Sequence, residues 1–310
     1  MQGASIDAIA YAVGESTYPY REIPDFAALI AANNLPDLPA IFGWGVYHKT
    51  ARDVQALGLS SARQTLEKAD MDPARVDFVM FCSSRIPGTE VDHIGMNIEF
   101  IRSLGLTRAF PIGVTLSNCA AFIGAIAMAS EWVSRDPSKT VLVITADKLY
   151  DERLRMHKFA LLSDCAASCL VRHPTRTGYR IAGHQFSISR SPVSNNLGQD
   201  DHELETRFLA DLFASTGLEK HDLRGVLTSN LFKPISSLRG RRLGFSQHQL
   251  YLDAVPRFGH CFAADAFINL LDFEANNGIE PGDKFLLTAD GPNIKAGLVV
   301  EKRPAIGAQA

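Results

Sequence analysis

The 310-residue chain has no surplus of basic charge: 31 Lys and Arg stand against 34 Asp and Glu, a net charge of −3. A nucleic-acid binder ordinarily carries a strong basic excess, so that class is not expected. There is no long uninterrupted apolar run and no basic-then-apolar leader, so no membrane association is expected and the expected location is cytoplasmic. Cysteine is scarce and odd in number: Cys82, Cys119, Cys165, Cys169 and Cys261. That count makes no disulfide framework and fits reduced thiols. Cys165 and Cys169 lie four apart, but no second cysteine pair or nearby histidine pair completes a zinc site, so no metal is expected. No Gly/Ser-rich linker divides the chain. What remains, 46% hydrophobic and 21% charged residues, is ordinary for a soluble globular enzyme with a sizeable core.

Short apolar runs alternate with helical periodicity, which predicts an α/β fold with a largely buried sheet. The clearest strands are 76–81, 141–145, 226–228 and 285–288, rich in β-branched and aromatic residues and bounded by polar ones. Helical patterns cover 51–68, 93–104, 120–133, 204–215 and 263–276. The polar stretches 172–178 and 187–201 are the expected connection and mobile loop, and 304–310 reads as a frayed tail.

The chain also repeats itself. Cys119 and Cys261 are 142 residues apart, and Thr145-Ala146-Asp147 recurs 143 residues later as Thr288-Ala289-Asp290. The strand ending Phe81-Cys82-Ser83-Ser84 resembles the one ending Val226-Leu227-Thr228-Ser229-Asn230 at a similar offset. Three matches in one order predict an internal duplication whose halves bring two helix starts together.

Those helix starts carry the chemistry. Ser117-Asn118-Cys119-Ala120-Ala121 runs from polar residues into an apolar helix, and Gly259-His260-Cys261-Phe262-Ala263 makes the same transition. A cysteine at a helix head sits near the positive end of the macrodipole, which favours the thiolate. A histidine at the matching head is its natural acid/base partner, so Cys119 and His260 are the expected nucleophile and base for acyl transfer.

The segments 113–129, Leu162-Ser163-Asp164-Cys165-Ala166-Ala167-Ser168, Phe258-Gly259-His260-Cys261-Phe262-Ala263-Ala264 and 283–300 together resemble the thiolase superfamily, in its ketoacyl-acyl-carrier-protein synthase III-like branch. The resemblance implies two duplicated α/β halves, 1–172 with the nucleophile and 173–310 with its partners, in a layered α-β-α-β-α core. It implies an acyl thioester of coenzyme A or a phosphopantetheine-bearing acyl carrier protein as donor, acylation of Cys119, no bound cofactor and a homodimer. The chain departs from the branch where a histidine is usual, which here is Ser229 or Asn230, and where an asparagine is usual, which here is His260. The usual pair stabilises an enolate during decarboxylation of a malonyl thioester. Some relatives pair a histidine with an aspartate shortly downstream, which Asp265 resembles, as orienter of His260.

The expected function is therefore acyl transfer to an acceptor other than decarboxylated malonate, in polyketide or other secondary metabolism. Two other readings stand beside it: a decarboxylating condensing enzyme in which His260 and Asn230 have exchanged roles, and a non-catalytic partner subunit of a heterodimeric synthase. Asn230 is assigned a polar positioning role, with Ser229 its competitor. His184 and His202 are candidates to enter the site, and Cys261 is the structural mirror of Cys119. Arg239-Gly240-Arg241-Arg242 is a candidate carrier-protein contact. Phe81, Met96, Phe100 and Phe122 are candidates to line an acyl tunnel or are plain core.

Overall fold

The computed structural model describes residues 3–84, 93–174, 178–189 and 202–304, with backbone alone over 93–97. The first half begins with β1 (Ser5–Val13), β2 (Ser16–Pro19), α1 (Phe26–Ala32), α2 (Pro39–Phe42), β3 (Val46–Lys49) and α3 (Val54–Lys68). It continues with β4 (Phe78–Cys82), α4 (His93–Leu104), β5 (Phe110–Val114), α5 (Ala121–Arg135), β6 (Thr140–Asp147) and β7 (Cys165–Arg172). Then come β8 (Tyr179–Ile188), α6 (His202–Thr216), β9 (Leu223–Leu227), α7 (Lys233–Arg242) and α8 (Val255–Phe258). The chain closes with α9 (Asp265–Asn277), β10 (Lys284–Gly291) and β11 (Ile294–Lys302).

Nine strands form one mixed sheet in the order β5-β4-β6-β7-β1-β8-β11-β10-β9. Strand β4 runs parallel to β5 and β6, and β9 parallel to β10, while the central pairs are antiparallel. Side-chain alternation sorts residues between faces. Met80, Val141, Val143, Phe285 and Leu287 enter a central core with α5 and α9. Val79, Leu142 and Ile144 face α3 and α4, and Val226, Leu286 and Val299 face α6. Helices α5 and α9 thus pack on one face of the sheet, and α3, α4 and α6 on the other, in the mixed α/β class that the sequence predicts.

The predicted strands and helices are present with ends shifted by a few residues. Between the two stretches read as connection, 172–178 and 187–201, lies a strand that the pattern does not single out, β8 at 179–188, while 175–177 and 190–201 lie outside the described residues. The alternation of β8 is weak because it is half-buried along most of its length. The tail residues 305–310 also lie outside the described residues. Among the described residues, no helix is long and apolar enough to cross a membrane.

The two helix starts match in backbone shape, in a register that differs from the one read by matching cysteines. Asn118–Ala120 and Phe262–Ala264 each form a 3-10 turn, ahead of α5 and α9 respectively, and the two turns touch. Each opens on a left-handed residue, Asn118 and Phe262, both with φ 51°. Pairing these turns sets Cys119 opposite Ala263 and Cys261 opposite Ser117, so Cys261 is not the mirror of the nucleophile. Backbone shape fixes the register; the recurrence of a cysteine misleads by two positions.

Candidate active site

Strand β5 ends at Val114, and a tight turn carries the chain to Cys119 at the head of α5. Asn118 adopts φ 51° there, which an Asn tolerates better than most residues. The Ala120 and Ala121 that follow are fully buried and anchor the turn from within. Cys119 itself is half-buried, whereas the other four cysteines are buried. Burial pushes the Cys82, Cys165 and Cys169 thiols up, so these remain protonated and unreactive. Gly291, in the β10–β11 hairpin, presses on the same turn: a Cβ there would lie 2.9 Å from Ser117 O.

His260 follows Gly259, whose φ of 63° turns the chain out of α8. A Cβ on Gly259 would stand 2.5 Å from Leu161 O, so only glycine permits this approach. The backbone of His260 then bridges the segment beside β7, donating to Leu161 O at 2.6 Å and accepting from Ser163 N at 3.0 Å. This fixes the ring, 5% exposed, with Nε2 3.7 Å from Cys119 Sγ. Its Nδ1 hydrogen-bonds Asp265 Oδ2.

Asp265 is the first residue of α9, and the 3-10 turn before it folds the chain so that a five-residue separation closes. Its Oδ1 accepts from Cys261 N at 2.6 Å and its Oδ2 from Asn230 N at 2.6 Å. Burial opposes the imidazolium, but the Asp265 carboxylate, its hydrogen bond and the neighbouring Cys119 outweigh it and hold His260 well above its usual range. The arrangement is a thiol, an imidazole and a buried carboxylate in line, competent for proton transfer to and from sulfur.

The remaining candidates fall into place around this line. The Asn230 side chain is spent away from the thiol, donating to Gly259 O at 2.9 Å and accepting from Asn269 Nδ2 at 2.9 Å. It braces the histidine turn and touches Asp265 through its backbone. Ser229 is buried and its Oγ has no hydrogen-bond partner among the described residues. His184 packs beside Phe186 on β8 and His202 is exposed at the head of α6; neither bonds Cys119 or His260. Arg241 and Arg242 are exposed on α7, while Arg239 turns inward, 3.9 Å from Asp290.

Phe81 and Phe100 pack edge to face in the outer α3/α4 layer, whereas Phe122 is fully buried against Phe267 in the central layer. They lie on opposite faces of the sheet and line no common tunnel; the Met96 side chain lies outside the described residues. Two supports were not foreseen. Fully buried Arg155 pairs with Asp164 at 2.8 Å and with Glu152 at 3.2 Å, and Asp164 also accepts from Thr50 N and Leu149 N. That knot fixes the strand on which His260 rests. Phe159 stands at 6.4 Å from the His260 ring. An arginine amid 151–158, already rich in charge, gives no sequence signal of burial.

Residues 115–188 match the family model for 3-Oxoacyl-[acyl-carrier-protein (ACP)] synthase III. The beta-ketoacyl-[acyl-carrier-protein] synthase III of Brucella suis is 24% identical over 280 residues, 79% of this chain and 83% of that protein. The Brucella abortus protein of the same name shows the same identity over the same shares. Among solved structures, the acyltransferase ChlB3 superposes with a TM-score of 0.83 at 16% identity, covering 98% of this chain and 99% of that one. A variant of OleA from Xanthomonas campestris gives 0.80 at 15%, covering 97% and 98%. The 3-oxoacyl-[acyl-carrier-protein] synthase III of Aquifex aeolicus gives 0.75 at 15%, covering 96% and 100%. At these identities the superpositions speak for the fold alone. The chain thus has the fold of these synthase III and acyltransferase structures and is similar in sequence to the ketoacyl-acyl-carrier-protein synthases III.

Proposed function

We propose that the protein is an acyltransferase that moves an acyl group from an acyl-carrier-protein or coenzyme A thioester, through a Cys119 thioester, to an acceptor nucleophile. The observation that carries this reading is the line Cys119–His260–Asp265 with a serine, Ser229, beside Asn230 where the family ordinarily places a histidine. His260 takes the thiol proton, and the Cys119 sulfur attacks the donor carbonyl. Backbone N–H groups at the head of α5 face the developing oxyanion. The C–S bond to the donor breaks, and the imidazolium, stabilised by Asp265, returns the proton to the leaving thiol. In the second half-reaction His260 accepts the acceptor's proton as the acyl group leaves sulfur. With Ser229 and Asn230 where the family ordinarily places a histidine, the usual partner in stabilising a malonyl-derived enolate is missing from that position, which argues for an acceptor that brings its own nucleophile. It also argues for a setting in polyketide or other secondary metabolism, since fatty-acid initiation calls for the standard pair.

The names of the Brucella relatives favour a second reading, decarboxylative condensation with a malonyl thioester. The two separate cleanly: condensation releases carbon dioxide from labelled malonyl thioester in step with product, and acyl transfer releases none. The first experiment is intact-protein mass spectrometry after incubation with short acyl-coenzyme A and acyl-carrier thioesters. An acyl mass increment that disappears in Cys119→Ala is expected; an increment persisting in that variant, or none with any donor, defeats the reading.

We also propose a homodimer. The outer edge of β5 has no strand partner among the described residues, and Phe110 and Leu116 beside it are 65% and 81% exposed. A bare apolar edge of this kind is unusual on a monomer and is satisfied by a symmetric copy.

A further inference from the structure

A polar side chain stands where α9 is otherwise apolar. The run Ala266-Phe267-Ile268-Asn269-Leu270 is buried, and asparagine is both a poor helix former and costly to take out of water. Asn269 is 0% exposed and lies one turn beyond Asp265, so the two share a face of the helix.

The Asn269 amide is bonded into the frame of the site. Its Nδ2 donates to Thr228 O at 2.8 Å and to Asn230 Oδ1 at 2.9 Å, just past the end of β9. Its Oδ1 has no hydrogen-bond partner among the described residues, so the nitrogen carries the role. Asn230 Nδ2 in turn donates to Gly259 O at 2.9 Å, the carbonyl of the peptide that leads into His260. The Asn230 N–H donates to Asp265 Oδ2 at 2.6 Å, and that same oxygen bonds Nδ1 of the His260 ring. Carbonyls at the two ends fix the direction of this chain of bonds. Turning over either amide would set oxygen against Thr228 O or Gly259 O, so Asn269 must give and Asn230 must receive.

We propose that Asn269 is a positioning residue for the acyl-transfer site: by locking the Asn230 amide it holds Asp265 and the Gly259–His260 turn in register, and so keeps the imidazole aimed at Cys119. The inference rests on the acyl-transfer reading and adds to it a residue that bonds neither Cys119 nor His260. Without the Asn269 amide, Thr228 O and Asn230 Oδ1 lose that donor, the Asn230 side chain is free to rotate off Gly259 O, and its N–H slackens against Asp265. The carboxylate is then a weaker partner for the imidazolium, and His260 gives up its proton more readily. Its titration midpoint therefore falls, and the acid limb of acylation moves to lower pH. Cys119, Asp147, His157 and Asp290 also feel the charge of the ring, but none of them bonds Asn269 or Asn230. A change in the ring's titration thus reports the Asp265 contact.

The test is the titration of His260 itself, followed by NMR in protein carrying isotope-labelled histidine, with its signal identified by loss in His260→Gln. Asn269→Leu, near-isosteric but without the amide, is expected to lower the midpoint and to move the acid limb of the acylation rate the same way. It should slow acylation about tenfold or more, the worth of one buried hydrogen bond. Because the effect passes through Asn230, the double variant Asn230→Leu/Asn269→Leu should acylate no more slowly than Asn230→Leu. A midpoint equal to or above that of wild type, as a role in packing alone would give, overturns the inference, and so do losses that add in the double variant. If leucine prevents folding, Asn269→Ala removes the amide without adding bulk and is read by the same midpoint. The titration needs no acyl group, so if Cys119 takes none the acyl-transfer reading fails while the midpoint still decides the role of Asn269.

Discussion

Asp265 works in two directions. One oxygen takes the Cys261 N–H, and the other joins the Asn230 N–H to the His260 ring. Replacing it with Asn puts an amide beside Nδ1 and favours the tautomer that carries its proton on Nε2, facing the thiol. Acylation of Asp265→Asn should fall by on the order of a hundredfold or more, with an unchanged circular dichroism spectrum. Wild-type rates in a burst experiment would remove Asp265 from the proton path. Asp147 shows the opposite electrostatics. Burial pushes its carboxyl up from 3.8 to about 7, against hydrogen bonds from Ser84 and Ser83, and its Oδ2 has no hydrogen-bond partner among the described residues. A folded-state value above the unfolded one means the native state binds the extra proton. Its stabilising effect is therefore complete below about pH 4 and is lost as the pH rises to about 7. The unfolding temperature of Asp147→Asn should accordingly rise relative to wild type across that window, and a constant difference between the two would refute the assignment.

At the scale of elements, the site depends on where short segments are forced to touch. His260 is held by a bridge to the strand segment at Leu162, and that bridge requires Gly259 in a left-handed conformation against Leu161 O. Gly259→Ala adds both strain and a clash, and should cost about 1–3 kcal/mol in urea denaturation. It should depress acyl transfer further by displacing the ring. A variant as stable and as active as wild type would show that the turn has slack. On the other side, Arg155 and Asp164 tie β3, β7 and the 149–155 segment into one buried knot beneath the same bridge. A chain with the right residues but a slack knot would not hold a 3.7 Å approach between sulfur and nitrogen.

For the whole molecule, the question is what meets the edge of the sheet. The far edge at β9 is partly covered by the chain at Leu250 and Tyr251, but the β5 edge is bare among the described residues. The proposed dimer predicts a light-scattering mass of twice 33.9 kDa. Leu116→Asp should shift it toward a single chain, since a charge buried at an interface without a partner is strongly unfavourable. Because Leu116 lies three residues before Cys119, the same variant should lose activity in proportion to monomer. A wild-type protein that runs as a monomer at micromolar concentration would end the proposal.

The sequence by itself determined the α/β class, the main strands and helices, and the pairing of Cys119 with His260 as candidates that the fold brings together. These are local signals: β-branched runs, helical periodicity, and polar residues that stop where an apolar helix begins. Tertiary structure decided the rest. It matched the two helix starts by paired left-handed turns, where matching cysteines gave a register two residues off. It formed β8 between the two polar stretches, where no strand was legible, because a half-buried strand loses its alternation. It turned Asn230 away from the thiol, buried Arg155 under the histidine, and separated Phe81 and Phe100 from Phe122 on opposite faces of the sheet. Each of these depends on which residues distant in the chain share a face or a hydrogen bond. Periodicity along the chain reports which way a side chain points, but not what it meets.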